Sequence, residues 1–380
     1  MKLKGNLVTP ERTGYGEIEW CGARITGVSP AAEIRPSEPW VLPGFIDLHL
    51  HGLGPFSTED GGDGLCGMAA FAAETGVSRL APAWASAPHG ETVEWLRCVR
   101  SLTEDPPEGA RIAGAHLEGP WLSLRFGGGM NASMLRNPDP DEAKAFLDAA
   151  GGTLRLVTLA PELPGALETV ALLRENGVAV SLGHSDCPPE LYDAAVDAGI
   201  TEVCHLFDAY DGPRILNGVR QPAVTDLALI DDRVMKEVIM DGLHVPPELV
   251  KLTLRAAGAG HIIAITDAMQ GAGLREGRFL DSGRPYVIRE VELARLESDG
   301  SIVGSSLTMN RAFYNMTVRF GFTPSEAAAC LSANPAKQLG LAEATGALRP
   351  GLAADLAVLA PDRLTVLATW LEGRRIYFRG

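Results

Sequence analysis

Eight histidines are spread through the 380 residues, and six of them stand in comparable places. His49, His51, His116, His184, His205 and His244 each end or follow a short apolar run, as do the carboxylates Glu118 and Asp267. Imidazole and carboxylate together suit zinc and other first-row divalent metals. His49 and His51 are two apart, so in a strand both project from one face. His184 and His205 end consecutive runs and can converge on them, with Glu118 placed to bridge toward a second ion. Singly, each has a plainer reading: a strand-end histidine is more often a hydrogen-bonded structural residue, and Glu118 could cap a helix or pair with an arginine. Five candidate ligands at successive strand ends favour the metal. His116 has the same strand parity as Glu118, and its neighbours suggest support behind the ligands. Asp267 ends "HIIAIT"; beside an activated water it could take a proton and pass it to a leaving amine. Its alternative is to cap the segment "AMQGAG".

The elements that must position these groups alternate. "VLPGFIDLHLHG", "SRLAPAWAS", "ARIAGAHLEGP", "LRLVTLAPEL", "VAVSLGHSDC", "ITEVCHLFDAY", "VMKEVIMDGLHV" and "HIIAITDAMQGAG" read as strands, most followed by Ala- or Leu-rich helical stretches. About eight such units with polar residues at the strand C-termini predict an α/β (β/α)₈ barrel, whose chemistry sits at that end. A doubly wound sheet fits worse, because it expects a glycine-rich phosphate loop after the first strand, where His-x-His stands instead. Residues 1–42 and 345–380 read as short alternating strands that pair into a small β-sandwich domain, leaving 43–344 as the barrel. A hairpin region at about 278–303 interrupts it, with turns at Ser282-Gly283 and Asp299-Gly300.

Composition narrows the partners. The net charge of −15 disfavours nucleic acid and anionic membrane, while a locally positive site could still take an anionic small molecule. No run of 18 apolar residues predicts a membrane span, and "MKLKGNLVTPERTG" lacks the apolar core of a signal peptide, so the expected location is cytoplasmic. Six cysteines without a CxxC pair are read as reduced and mostly structural.

The motifs "PGFIDLHLHG", "HLEGPWL", "LGHSD", "CHLFDAY", "DGLHV", "TDAMQGAG", "GSSLTM" and "NPAKQLGL", then "PGLAADL", occur in an order that resembles the amidohydrolase superfamily, specifically the N-acetylglucosamine-6-phosphate deacetylases. The likeness runs from Pro43 to about Leu359. It implies Glu118, His184 and His205 as ligands of a main metal, zinc foremost with iron or another first-row ion as alternatives. Some members lack the first His-x-His and hold one ion; this chain keeps His49 and His51, so one or two metals per subunit are implied. Other branches bridge two metals with a carboxylated lysine, but no lysine lies between Lys4 and Lys144, leaving Glu118 as the bridge. The resemblance further implies hydrolysis by an activated water with Asp267 as proton carrier, substrate contact by His244, a pocket wall at Met309, and a homodimer.

Two positions depart from the family pattern. Met130, twelve residues after Glu118, stands where a histidine that polarises the substrate carbonyl is usual, and methionine donates no hydrogen bond. Asp208 replaces an asparagine which, with the adjoining backbone at Ala209, helps hold the sugar phosphate. A carboxylate there repels phosphate unless Arg214 or Arg220 compensates; "VRQP" resembles an arginine-bearing family loop. The reading is a metal-dependent deacetylase of an amino sugar, N-acetylglucosamine-6-phosphate first. A non-phosphorylated N-acyl amino sugar or other small N-acyl amine is the alternative, and a non-catalytic binding homologue the least favoured.

Overall fold

Short apolar runs buried on both faces make parallel strands, and eight of them close into a barrel. The computed structural model describes every residue, Met1–Gly380. In chain order the barrel strands begin Phe45–Asp47, then Val77–Leu80 continuing as Ala83–Trp84, then Arg111–Ile112 continuing as Ala115–Glu118. Leu154–Leu159, Ala179–Leu182, Glu202–Val203, Met235–Ile239 and Ile262–Ile265 follow. Each pairs in parallel with the next. The ring closes where Leu50 bridges Ala268 and the Asp267 amide donates to the His49 carbonyl at 2.9 Å.

The second and third strands are each interrupted. "SRLAPAWAS" breaks at Pro82, which has no N–H for the ladder, and its carbonyl instead accepts from the His116 amide at 3.0 Å. The third breaks beside Gly114, whose φ of 137° only glycine adopts without strain. Helices cover the outside. Pro140–Ala150, for example, is capped by Asp139, which accepts from the Asp141 amide, and ends on left-handed Gly151. Phe45, Trp121, Phe146 and Phe313 are fully buried members of the large core between barrel and helices.

The chain ends form one seven-stranded sheet. Its order is Arg374–Phe378, Val366–Leu371, Leu356–Leu359, Trp40–Pro43, Lys2–Val8, Thr13–Cys21 and Arg24–Pro30. The sheet rolls over its own core of Leu7, Ile18, Trp20, Ile25, Val41 and Leu356, so that Trp20 meets Trp370 edge-on at 6.1 Å. Asp355, in the "AADL" motif, ties it to the barrel. The carboxylate accepts from Arg79 Nε at 2.8 Å, Thr345 Oγ1 at 2.7 Å and the Glu372 amide at 2.7 Å.

After the eighth barrel strand, Glu276–Asp281, Arg284–Arg289, Leu293–Leu296 and Ile302–Ser305 make a four-stranded antiparallel sheet. Its first turn has positive φ at both Ser282 and Gly283, as a tight hairpin requires. A second, unanticipated hairpin, Ile215–Leu216 with Val219–Arg220, stands out after the sixth strand. All six cysteines are free thiols.

Candidate metal centre and active site

Every strand-end group singled out above except His116 and His244 reaches one spot over the barrel mouth. His49 and His51 follow the first strand, Glu118 ends the third, His184 and His205 follow the fifth and sixth, and Asp267 follows the eighth. His184 and Asp267 have φ of 48° and His205 of 20°, conformations that side-chain-bearing residues rarely adopt. That local departure from the strand swings each side chain inward. Strain of this kind concentrates at functional sites.

Glu118 is the hub. Its Oε1 lies 3.3 Å from His49 Nε2, 3.1 Å from His184 Nε2 and 3.0 Å from His205 Nε2, and its Oε2 lies 3.0 Å from His51 Nε2. Asp267 Oδ1 faces His51 Nε2 at 3.4 Å and His49 Nε2 at 3.7 Å. Two ligand sets result, His49–His51–Asp267 and Glu118–His184–His205, all but His51 buried.

The donor chemistry fits divalent metal. His184 Nδ1 donates to the Phe126 carbonyl at 2.8 Å, His205 Nδ1 to the Asp208 carbonyl at 3.3 Å, and His49 Nδ1 to Glu237 Oε2 at 3.2 Å. Such anchors fix the tautomer and leave Nε2 as a lone pair aimed inward. The Nε2 atoms of His184 and His205 are then 3.1 Å apart, a repulsive pair unless a cation lies between them and Glu118. His49 Nε2 is fully buried without a hydrogen-bond partner. Buried polar groups are seldom left in that state, so this nitrogen suits a metal ion.

Electrostatics agree. Burial opposes the charge on Glu118, yet His49, His184 and His205 hold its carboxyl well below the usual range. Burial likewise opposes ionisation of Asp267, but the facing His51 ring and the His49 charge keep it low. Burial disfavours a proton on His51, but Asp267 and Glu118 raise it to about 9. Two carboxylates therefore demand positive charge here, which a divalent ion supplies. His116 behaves differently. Burial and then the neighbouring His49 charge lower it to about 3, and both its ring nitrogens are engaged, by the Leu48 carbonyl at 3.1 Å and Thr158 at 2.8 Å. It is a neutral prop packed against the His49 ring at 4.6 Å.

Met130, Asp208 and Ala209 line the cavity beside this cluster, together with Asn131, Met269, Asp281 and Arg284. An adjoining cleft of about 380 Å³ continues past Trp84, Glu59 and Tyr286. Three expected substrate contacts are not brought to the cavity wall. His244 donates from Nδ1 to Asp241 at 2.6 Å, and its buried Nε2 is unpartnered. Arg220 sits on the exposed hairpin and pairs with Asp226 at 2.9 Å, because the loop after the sixth strand turns outward there. Met309 begins a helix that packs into the core, so it is 1 % exposed, and Met269 lines the cavity. Sequence reasoning missed Glu237 and Arg284. Glu237 sits in an apolar strand beside another charged residue, Lys236. Arg284 directly follows the Ser282-Gly283 turn, but nothing in the sequence says that this hairpin covers the mouth.

Comparisons with known proteins converge on one family. The Amidohydrolase family pattern matches residues 40–377. The chain is 31% identical to the N-acetylglucosamine-6-phosphate deacetylase of Bacillus subtilis over 90% of this chain and 88% of that protein. It is 33% identical to the N-acetylgalactosamine-6-phosphate deacetylase of Escherichia coli O157:H7, over 89% and 88% respectively. The crystal structure of N-acetyl-D-glucosamine-6-phosphate deacetylase from Mycobacterium smegmatis superposes with a TM-score of 0.89 at 31% identity, covering 99% of this chain and 100% of that one. With its barrel, its Glu118-centred ligand cluster and these relatives, the chain belongs to the amidohydrolase family and, within it, to the amide-hydrolysing N-acetylglucosamine-6-phosphate deacetylases.

Proposed function

We propose that the chain removes the acetyl group from N-acetylglucosamine-6-phosphate, yielding glucosamine-6-phosphate and acetate. The observation that carries this reading is the Glu118 hub with four imidazole nitrogens around it and Asp267 beside them. A relative at 31% identity was solved as a mutant in complex with N-acetyl-D-glucosamine-6-phosphate, and a relative at 33% identity is named for the galactosamine epimer.

Glu118, His184 and His205 would hold one divalent ion, and His49, His51 and Asp267 a second, with zinc the ion we favour. An ion so held supplies Lewis acidity and lowers the pKa of water to about 7. Asp267, ionised and at the cavity wall, accepts the proton that water loses on attacking the amide carbon, then returns it to the departing nitrogen. The six free thiols support a reducing, cytoplasmic location, and no helix is long and apolar enough to cross a membrane. The outward hairpin exposes Ile215, Leu216 and Val219, each more than 60% accessible, as a patch that a second copy would cover in a homodimer.

A non-phosphorylated N-acetyl amino sugar is the second reading, favoured by Asp208 and Asp281 in the cavity wall. At about 4 Å, one carboxylate and one phosphate charge repel by roughly 1–4 kcal/mol between water and a protein-surface dielectric. The test is amine release from phosphorylated and free N-acetylglucosamine and N-acetylgalactosamine, side by side, with bound metal counted. A strong preference for the free sugars would remove the phosphate. Asp208→Asn should raise kcat/KM for the phosphorylated substrate; no change would count against the repulsion.

A further inference from the structure

We propose that Arg284, brought over the barrel mouth by the inserted sheet, donates hydrogen bonds to the amide oxygen of the substrate as negative charge develops on it. The proposal rests on the deacetylase reading above. In that reaction the water oxygen forms a bond to the carbonyl carbon, and the C=O electron pair moves onto oxygen. Asp267 takes the water proton. As the pair returns, the C–N bond breaks and the nitrogen leaves with that proton. The oxygen passes through an anionic state that preorganised donors stabilise more than they stabilise the ground state.

The cavity's neutral side-chain donors are Ser86, Asn131 and Ser282. Its ionisable wall carries four carboxylates, Glu118, Asp208, Asp267 and Asp281, and the imidazoles there turn their Nε2 atoms to Glu118. Met130 has no donor. Arg284 is the one permanent cation lining the same cavity as the Glu118 cluster.

Its guanidinium is held in place from two sides. Nη2 donates to the Gly129 carbonyl at 2.5 Å and to the Asp281 carboxylate, while Nη1 has no protein partner. Gly129 is itself pressed onto the inserted sheet: a Cβ there would stand 2.8 Å from the Val303 side chain and 2.9 Å from the Ile302 carbonyl. One residue earlier, a Cβ on Gly128 would stand 3.4 Å from the His184 ring. The glycine run therefore links the Arg284 anchor to the ligand wall through backbone alone. At Gly129 that approach leaves no room for a side chain, and at Gly128 a φ of 56° favours glycine. A fixed guanidinium with free N–H groups costs little reorganisation when charge appears, and hydrogen bonds to an anion are the strong ones.

The test uses the metal-loaded full chain with Arg284→Met and Arg284→Lys. Arg284→Met should lower kcat by about 10²- to 10³-fold, the loss typical of removing one oxyanion donor. KM and metal content should stay near wild type, and Arg284→Lys should recover part of the rate. The kcat loss should be the same for phosphorylated and free N-acetylhexosamine. A phosphonamidate analogue carrying a tetrahedral oxyanion should lose affinity by the same factor, while affinity for the product amino sugar holds. An unchanged kcat, or a loss confined to KM for the phosphorylated sugar, would overturn the proposal; the second result would make Arg284 a phosphate anchor. A wild-type protein inactive on every N-acetylhexosamine would overturn the deacetylase reading and this proposal with it.

Discussion

Asp267→Asn separates proton transfer from folding, and because Asp267 also belongs to the His49–His51 ligand set, metal content measured in the same sample separates it from ion binding. The backbone at this position is held by two hydrogen bonds that asparagine keeps, Asp267 N to the His49 carbonyl at 2.9 Å and Ser305 N to the Asp267 carbonyl at 2.8 Å. The side chain is close to isosteric and only 11% accessible, so packing changes little. Its carboxylate sits 3.4 and 3.7 Å from His51 and His49 without a short hydrogen bond to either, so the cost to the fold should be small. What the amide cannot do is accept a proton. Positioned acid–base groups contribute about 10²- to 10⁴-fold to rate, or roughly 3–5 kcal/mol of barrier. We therefore expect kcat to fall by that factor at saturating metal, with thermal stability close to wild type. The assay is steady-state acetate or amine release on protein whose metal content is measured in the same sample. Burial opposes its charge, but His51 and His49 keep the Asp267 carboxyl below the usual carboxylate value, so it holds its charge into more acid solution than an ordinary carboxylate does. Its protonation would cut activity only in more acid solution. A fully metallated Asp267→Asn protein working within a few-fold of the wild-type rate would refute the proton-carrier role.

Three further outcomes follow from the same geometry. His184→Ala should lose metal and activity together, since its Nε2 completes the set with Glu118 and His205; elemental analysis beside the activity assay decides. Glu237→Gln removes the carboxylate that orients His49 through Nδ1 and should weaken metal retention by about 10- to 100-fold, read by chelator competition. Asp355→Ala strands the nearly buried Arg79, whose remaining partner is Glu372 at 2.9 Å, and should cost about 3 kcal/mol in urea denaturation without changing metal content.

The barrel was legible because eight apolar runs end in polar residues, a pattern that burial on both faces followed by an open mouth imposes. The ligand set was legible for the same reason: at a strand end a polar side chain has few other reasons to stand on the core face. Legibility fails where consecutive charged residues point opposite ways. In "VMKEVIM", Lys236 turns outward and donates to the carbonyls of Asp231 and Val234, while Glu237 turns inward to His49, and the string of letters marks neither direction. It fails again where a loop leaves the barrel: Arg220 rides the outward hairpin, and Met309 is drawn into the core by the helix it begins. Pro82 could be read as a strand breaker, but the fact that the two half-strands still serve one barrel depends on neighbours distant in sequence.

The left-handed backbone at His184 and Asp267 has a consequence for anyone who redesigns this protein. At both positions glycine would relieve roughly 1–2 kcal/mol of steric conflict. A search for thermostability alone, scoring each site by the comfort of its main chain, would rank these two among the first to replace. It would yield a tougher barrel stripped of a metal ligand and of its proton carrier. At these two positions, unlike at the turn residues Asn217, Val291, Arg363 and Glu372 that share the sign of φ, discomfort in the main chain marks where the molecule does its work, and stabilising substitutions belong elsewhere.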